Sequence, residues 1–92
     1  MIDGTRVFLT RQRLRWSQYQ IGKYLGISRH VVLKLEQGLD VEPKREQQVT
    51  ERLERLYKAA QTDLQAIPQP ARYFRNVKDV RDAVDSILEV VV

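Results

Sequence analysis

Ser17-Gln18-Tyr19-Gln20-Ile21-Gly22-Lys23-Tyr24-Leu25-Gly26-Ile27-Ser28-Arg29-His30-Val31-Val32-Leu33-Lys34-Leu35-Glu36-Gln37-Gly38 is the stretch that decides the fold. It reads as two short amphipathic helices joined by a tight turn. Ser17 is placed to cap the first, because a serine hydroxyl accepts from one of the backbone N–H groups left over at a helix start. Gly26 ends that helix, where the backbone needs the positive φ that a side chain resists. Ser28 caps the next helix, expected over residues 29 to 37, and Gly38 stops it. Ile21, Leu25, Ile27, Val32 and Leu35 are spaced so that both helices close on one small core, leaving Ser28, Arg29, His30 and Lys34 on the outside.

On the N-terminal side a helix is expected over residues 5 to 15, with Val7, Leu14 and either Phe8 or Arg11 turned inward, and Trp16 in the break. On the C-terminal side, residues 39 to 43 form a loop, and Pro43 or its neighbour opens a fourth helix. Val49, Leu53, Leu56, Ala60, Leu64 and Ile67 recur three or four apart, so this helix is expected to run up to Pro68-Gln69-Pro70. Beyond the prolines, Tyr73 and Phe74 are expected to anchor the chain, and Asn76 or Asp79 to cap a last helix. In that helix Val77, Val80, Val84, Ile87 and Val91 make an apolar stripe. The β-branched run from Ile87 onward also suits a strand paired with a second copy. Either way the stripe is expected to form a homodimer interface. The expected organisation is thus an all-α bundle over residues 1–67 and a dimerisation segment over 68–92.

Composition narrows the chemistry. The 92 residues contain no cysteine and a single histidine, His30, so disulfides, thiolate metal sites and a histidine cluster have no ligands. There is no Gly-rich phosphate loop and no convincing acid/base set, so neither an enzyme nor a cofactor is expected. With no long apolar run, a cytoplasmic chain without membrane contact is expected. The net charge of +4 is unevenly divided: residues 1–45 carry nine basic and four acidic side chains, the remainder seven and eight. Positive charge therefore collects on the part holding the two capped helices, as a polyanion partner requires.

Two helices crossing at a Gly-containing turn make a helix-turn-helix, whose second helix is slim enough for the DNA major groove. Here the sequence resembles the Cro/cI-type (XRE) helix-turn-helix regulators of bacteria and phages. The resemblance runs without a gap from Val7 to Pro43, about two fifths of the chain. Gln18, the turn glycine Gly26, the closing Glu36-x-Gly38 and Arg11 in the first helix all fall at the family's spacing. Three positions depart from it: Gly22 stands where alanine is usual, Leu33 where a polar residue faces DNA, and Glu42 in a loop that is often basic. Past Pro43 the likeness ends.

The resemblance implies a lambda-repressor-like bundle that binds an inverted-repeat operator in double-stranded DNA as a homodimer and represses transcription, including that of its own operon. It implies that Gln18 buttresses the recognition helix and that Arg11 pairs with Glu36 in the service of the fold. Residue chemistry fills in the rest. Arg29 can bond O6 and N7 of guanine; Lys34 suits a base or a phosphate; His30 suits a base edge or the backbone. Val31 and Leu33 suit thymine methyl groups, although Leu33 equally suits packing against a partner subunit or the tail. Ser28, Tyr19, Lys44, Arg45 and the helix-start N–H of Gln18 suit phosphates. Two alternatives stay open: an antitoxin whose tail binds a toxin, and a protein-interaction module using a groove of Leu33, Val31 and Tyr19.

Overall fold

A computed structural model of the chain describes residues 2–41, 43–68 and 77–90. Among these the structure is entirely helical: α1 (Gly4–Leu14), α2 (Gln18–Leu25), α3 (Arg29–Glu36), α4 (Glu46–Thr62), a 3-10 turn (Leu64–Ala66) and α5 (Val77–Val90). Glu42, Tyr73, Phe74, Asn76 and Val91 lie outside the described residues.

The caps explain where the first three helices begin. Asp3 accepts from the N–H groups of Thr5 and Arg6, which starts α1. At α2 the Ser17 hydroxyl accepts from the Gln20 N–H while the Gln20 side chain accepts from the Ser17 N–H, a reciprocal capping box. The Ser28 hydroxyl accepts from the Val31 N–H at the start of α3. Gly26 adopts φ 85° and Gly38 φ 79°, so both helix ends rest on the left-handed region. α1 ends on Arg15, also left-handed at φ 58°, whose N–H bonds the Gln12 carbonyl.

One core unites all five helices. Val7 and Leu14 of α1, Trp16 between α1 and α2, Ile21, Tyr24 and Leu25 of α2, and Val32 and Leu35 of α3 are buried with Val49, Leu53 and Leu56 of α4. Two close backbone approaches set the geometry. A Cβ added to Gly4 would lie 1.8 Å from the Leu35 carbonyl oxygen, so α1 packs directly on the end of α3. At Gly22 an added Cβ would lie 2.8 Å from the Ile27 carbonyl oxygen, which explains why glycine rather than alanine stands there.

Several expectations are corrected. Phe8 is exposed, so of the two expected alternatives it is Arg11 that turns inward, its side chain 15% exposed, and Thr10 joins it at 1%. α4 begins at Glu46, because Arg45 takes a left-handed φ of 62° and acts as the cap in place of Pro43. It also stops at Thr62, well short of the prolines, and Ile67 reaches the core from beyond the 3-10 turn. The largest correction concerns α5. Val80, Val84 and Ile87 are 3%, 0% and 8% exposed because α5 lies on α4 and α2 of its own chain. Half-buried Val77 shares this helix, which is helical through Val90. Val80, Val84 and Ile87, assigned to a dimer interface, are therefore covered within the chain, and α5 belongs to the same core as the rest.

Candidate functional site

α3 presents two unlike sides. Val32 and Leu35 are buried, while Arg29, His30, Leu33, Lys34 and Gln37 are exposed. At about 100° per residue these five fall within an arc of roughly 140° on the side away from the core. Val31, expected to suit a thymine methyl group, falls outside that arc: it is half-buried and packs against the core.

α2 adds to the same region. An open groove of ≈ 580 Å³ runs between the two helices, lined by Tyr19, Gly22, Lys23, Gly26, Ile27, Ser28 and Arg29. Three expected residues, Tyr19, Ser28 and Arg29, thus meet on one surface, and the Lys23 ammonium sits 5.6 Å from the centre of the Tyr19 ring. Lys44 and Arg45 are exposed on the turn before α4 and take no part in lining this groove.

The described arginines and lysines divide into those bonded within the fold and those whose charge is left to solvent. Arg6 bonds Glu54 and stacks on Tyr57, Arg55 bonds Asp85 at 2.6 Å, and Arg13 donates to the Ala60 carbonyl at 3.2 Å. Arg52 and Arg81 donate to the carbonyls of Leu25 and Tyr24, at 3.2 and 2.9 Å, and so close the C-terminal end of α2. Burial, followed by repulsion from Arg81, lowers the Arg52 pKa from its usual value. All of these cations serve the fold. Among the described residues, Arg29, Lys34, Lys44 and Arg45 have no ion pair or hydrogen bond from their charged groups, and their charge faces solvent; exposed Arg15, Lys58 and Lys78, on other parts of the surface, are likewise without an ion pair.

Gln18 is turned inward. Its side-chain N–H donates to Glu36 at 3.0 Å, and the same carboxylate takes two bonds from Arg11, at 2.8 and 3.0 Å. Arg11 also donates to the Trp16 carbonyl at 3.3 Å. With side-chain exposures of 15% for Arg11 and 7% for Glu36, the pair is largely withdrawn from water. It needs these several hydrogen bonds to offset the solvation that both ions lose. The result ties α1, α2 and the C-terminal end of α3 together, which fixes the direction in which α3 points.

Compared with known proteins, the chain matches no family model, no curated protein and no solved structure.

The site therefore rests on its own geometry. Among the described residues no group of acidic and histidine side chains gathers to hold a metal ion, and no helix is long and apolar enough to cross a membrane. Two residues of the surface escape sequence reasoning. Gln37 caps α3 through its backbone yet keeps its side chain exposed on the outer arc. Lys23 extends the cationic surface onto α2. The three-to-four spacing that marks Arg29 and Leu33 also marks Gln37, so that residue was within reach of the pattern. Lys23 depends on how α2 and α3 cross, which no local pattern states.

Proposed function

We propose that this chain is a helix-turn-helix regulator of the Cro/cI (XRE) type that binds a specific sequence in double-stranded DNA. One observation carries the reading: the outer arc of α3 holds Arg29, His30, Lys34 and Gln37 around a helix otherwise fixed in the core, its cations unneutralised by neighbouring acids. A helix about 10–12 Å across fits a major groove about 12 Å wide. Inserted there, Arg29 reads guanine O6 and N7, while Gln37 can bond adenine N6 and N7. Ser28, Tyr19, Lys23, Lys44 and Arg45 then serve the phosphates, which position the protein without reading sequence. Gln18 acts through Glu36, holding α3 at its angle.

Two copies on an inverted repeat, with half-sites about 34 Å apart, give a repressor that covers a promoter, its own included. Such a protein resides in the cytoplasm with the DNA and catalyses no reaction. The surface joining two copies does not use Val80, Val84 and Ile87, because these are already covered.

The test is selection of bound duplexes from a random pool, followed by affinity measurement across a salt series. Affinity for the selected duplex should fall steeply as salt rises, because each phosphate contact releases counterions. Lys44→Ala should weaken all duplexes alike and flatten the slope by about one. A protein that retains no duplex at low ionic strength overturns the proposal. Apolar-driven binding to a protein partner, insensitive to salt, would replace it with the interaction-module reading.

A further inference from the structure

Leu33 is the one apolar side chain on the outer arc of α3 and is 39% exposed. It stands one turn after Arg29 and one turn before Gln37, so polar and charged groups surround it on the helix surface. Nothing about the core requires leucine there, since Val32 and Leu35 make the buried contacts of α3. The unpaired cations beside it argue for a polyanionic occupant rather than an apolar one. A duplex offers only one apolar feature in its major groove, the C5-methyl group of a pyrimidine.

We infer that Leu33 is a specificity-determining residue that reads a pyrimidine C5-methyl group near the guanine contacted by Arg29. The inference rests on the DNA-binding reading above and gives that site a substrate preference. Spacing constrains it further. Four residues of α-helix advance about 6 Å, and stacked bases about 3.4 Å per step. The methyl group therefore lies within about two base pairs of that guanine. Thymine supplies the methyl in unmodified DNA, and 5-methylcytosine supplies the same chemistry in modified DNA.

The experiment uses the full chain and its selected duplex, with thymines replaced by deoxyuridine one at a time. At one position per half-site, loss of the methyl should weaken binding about fourfold, the worth of one buried methyl group. Leu33→Ala should bind thymine and uracil duplexes equally, while its helical signal and melting stay near those of the parent. It should still discriminate against 7-deazaguanine, which lacks the N7 acceptor; Arg29→Ala should lose that discrimination and keep the methyl effect. A preference for 5-methylcytosine over cytosine at the same position, without one for thymine over uracil, assigns the methyl to modified DNA. Uracil tolerated at every position with no methylcytosine preference, or a methyl effect that survives Leu33→Ala, overturns the inference while leaving DNA binding intact. Failure to bind any duplex overturns both.

Discussion

Gly4 carries more structural consequence than its size suggests. Its missing side chain lets α1 rest on the Leu35 backbone, and the atoms an alanine would strike are a carbonyl oxygen and carbon, which have no rotamer to escape into. Gly4→Ala should destabilise the fold by about 1–3 kcal/mol, read from urea unfolding, because overpacking forces backbone shifts. An unchanged midpoint would mean that α1 and α3 separate freely. Tyr24 makes a different claim. It is 3% exposed, its ring lies 5.8 Å from that of Trp16, and burial, with Asp85 adding, pushes its phenol up to about 12. A folded pKa above the unfolded value means stability that is complete below pH 10 and declines as pH climbs towards 12. About 2–3 kcal/mol is at stake. Tyr24→Phe should flatten that alkaline loss and delete the latest step of the tyrosinate absorbance titration. A variant whose alkaline unfolding matches the parent's would place Tyr24 in water.

At the scale of elements, sequence pattern located helices better than it located their partners. Ser17, Gly26 and Ser28 announce α2 and α3 because caps and positive-φ glycines are local requirements, met within four residues of chain. The start of α4 was not legible, since Arg45 takes a conformation that its residue type rarely signals. The end of α4 was misread for a similar reason: Leu64 and Ile67 keep the spacing of a helix although the chain leaves it at Asp63. α5 shows the deeper limit. An amphipathic stripe states that a face must be covered, and says nothing of whether the cover is the same chain or another. Deletion of residues 77–92 tests the answer. It would uncover the core where Val80, Val84 and Ile87 now pack, at about 1.5–3 kcal/mol for each side chain. That sum approaches the whole stability of a small domain. The truncated chain should lose its cooperative thermal transition by circular dichroism. A truncated chain that still melts cooperatively near the parent's temperature would return α5 to the role of a peripheral tail.

Across the whole molecule, basic residues divide between architecture and surface. Charge counting found the excess in the first half of the chain but could not sort it. Arg11 and Arg13 lie in that half beside Arg29 and Lys34; the family resemblance anticipated the Arg11–Glu36 pair, whereas only the Ala60 carbonyl shows Arg13 to be structural. Those partners are 25 and 47 residues away, beyond any local pattern, and only a motif shared with a family could point to the first. The outer arc of α3 was legible because caps fix the helix and period fixes the side; the neighbouring Lys23 was not. The guanidinium groups of Arg52 and Arg81 on the last carbonyls of α2 bear on how the molecule opens. α2 is held at its C-terminal end by α4 and α5 together, so that end cannot fray on its own. Its amides and those of α5 should therefore exchange with deuterated solvent as one cooperative block, at a rate set by a shared opening event. Arg81→Ala should split that block, releasing α5 protons first, whereas independent exchange in the parent would show that the two helices already open separately.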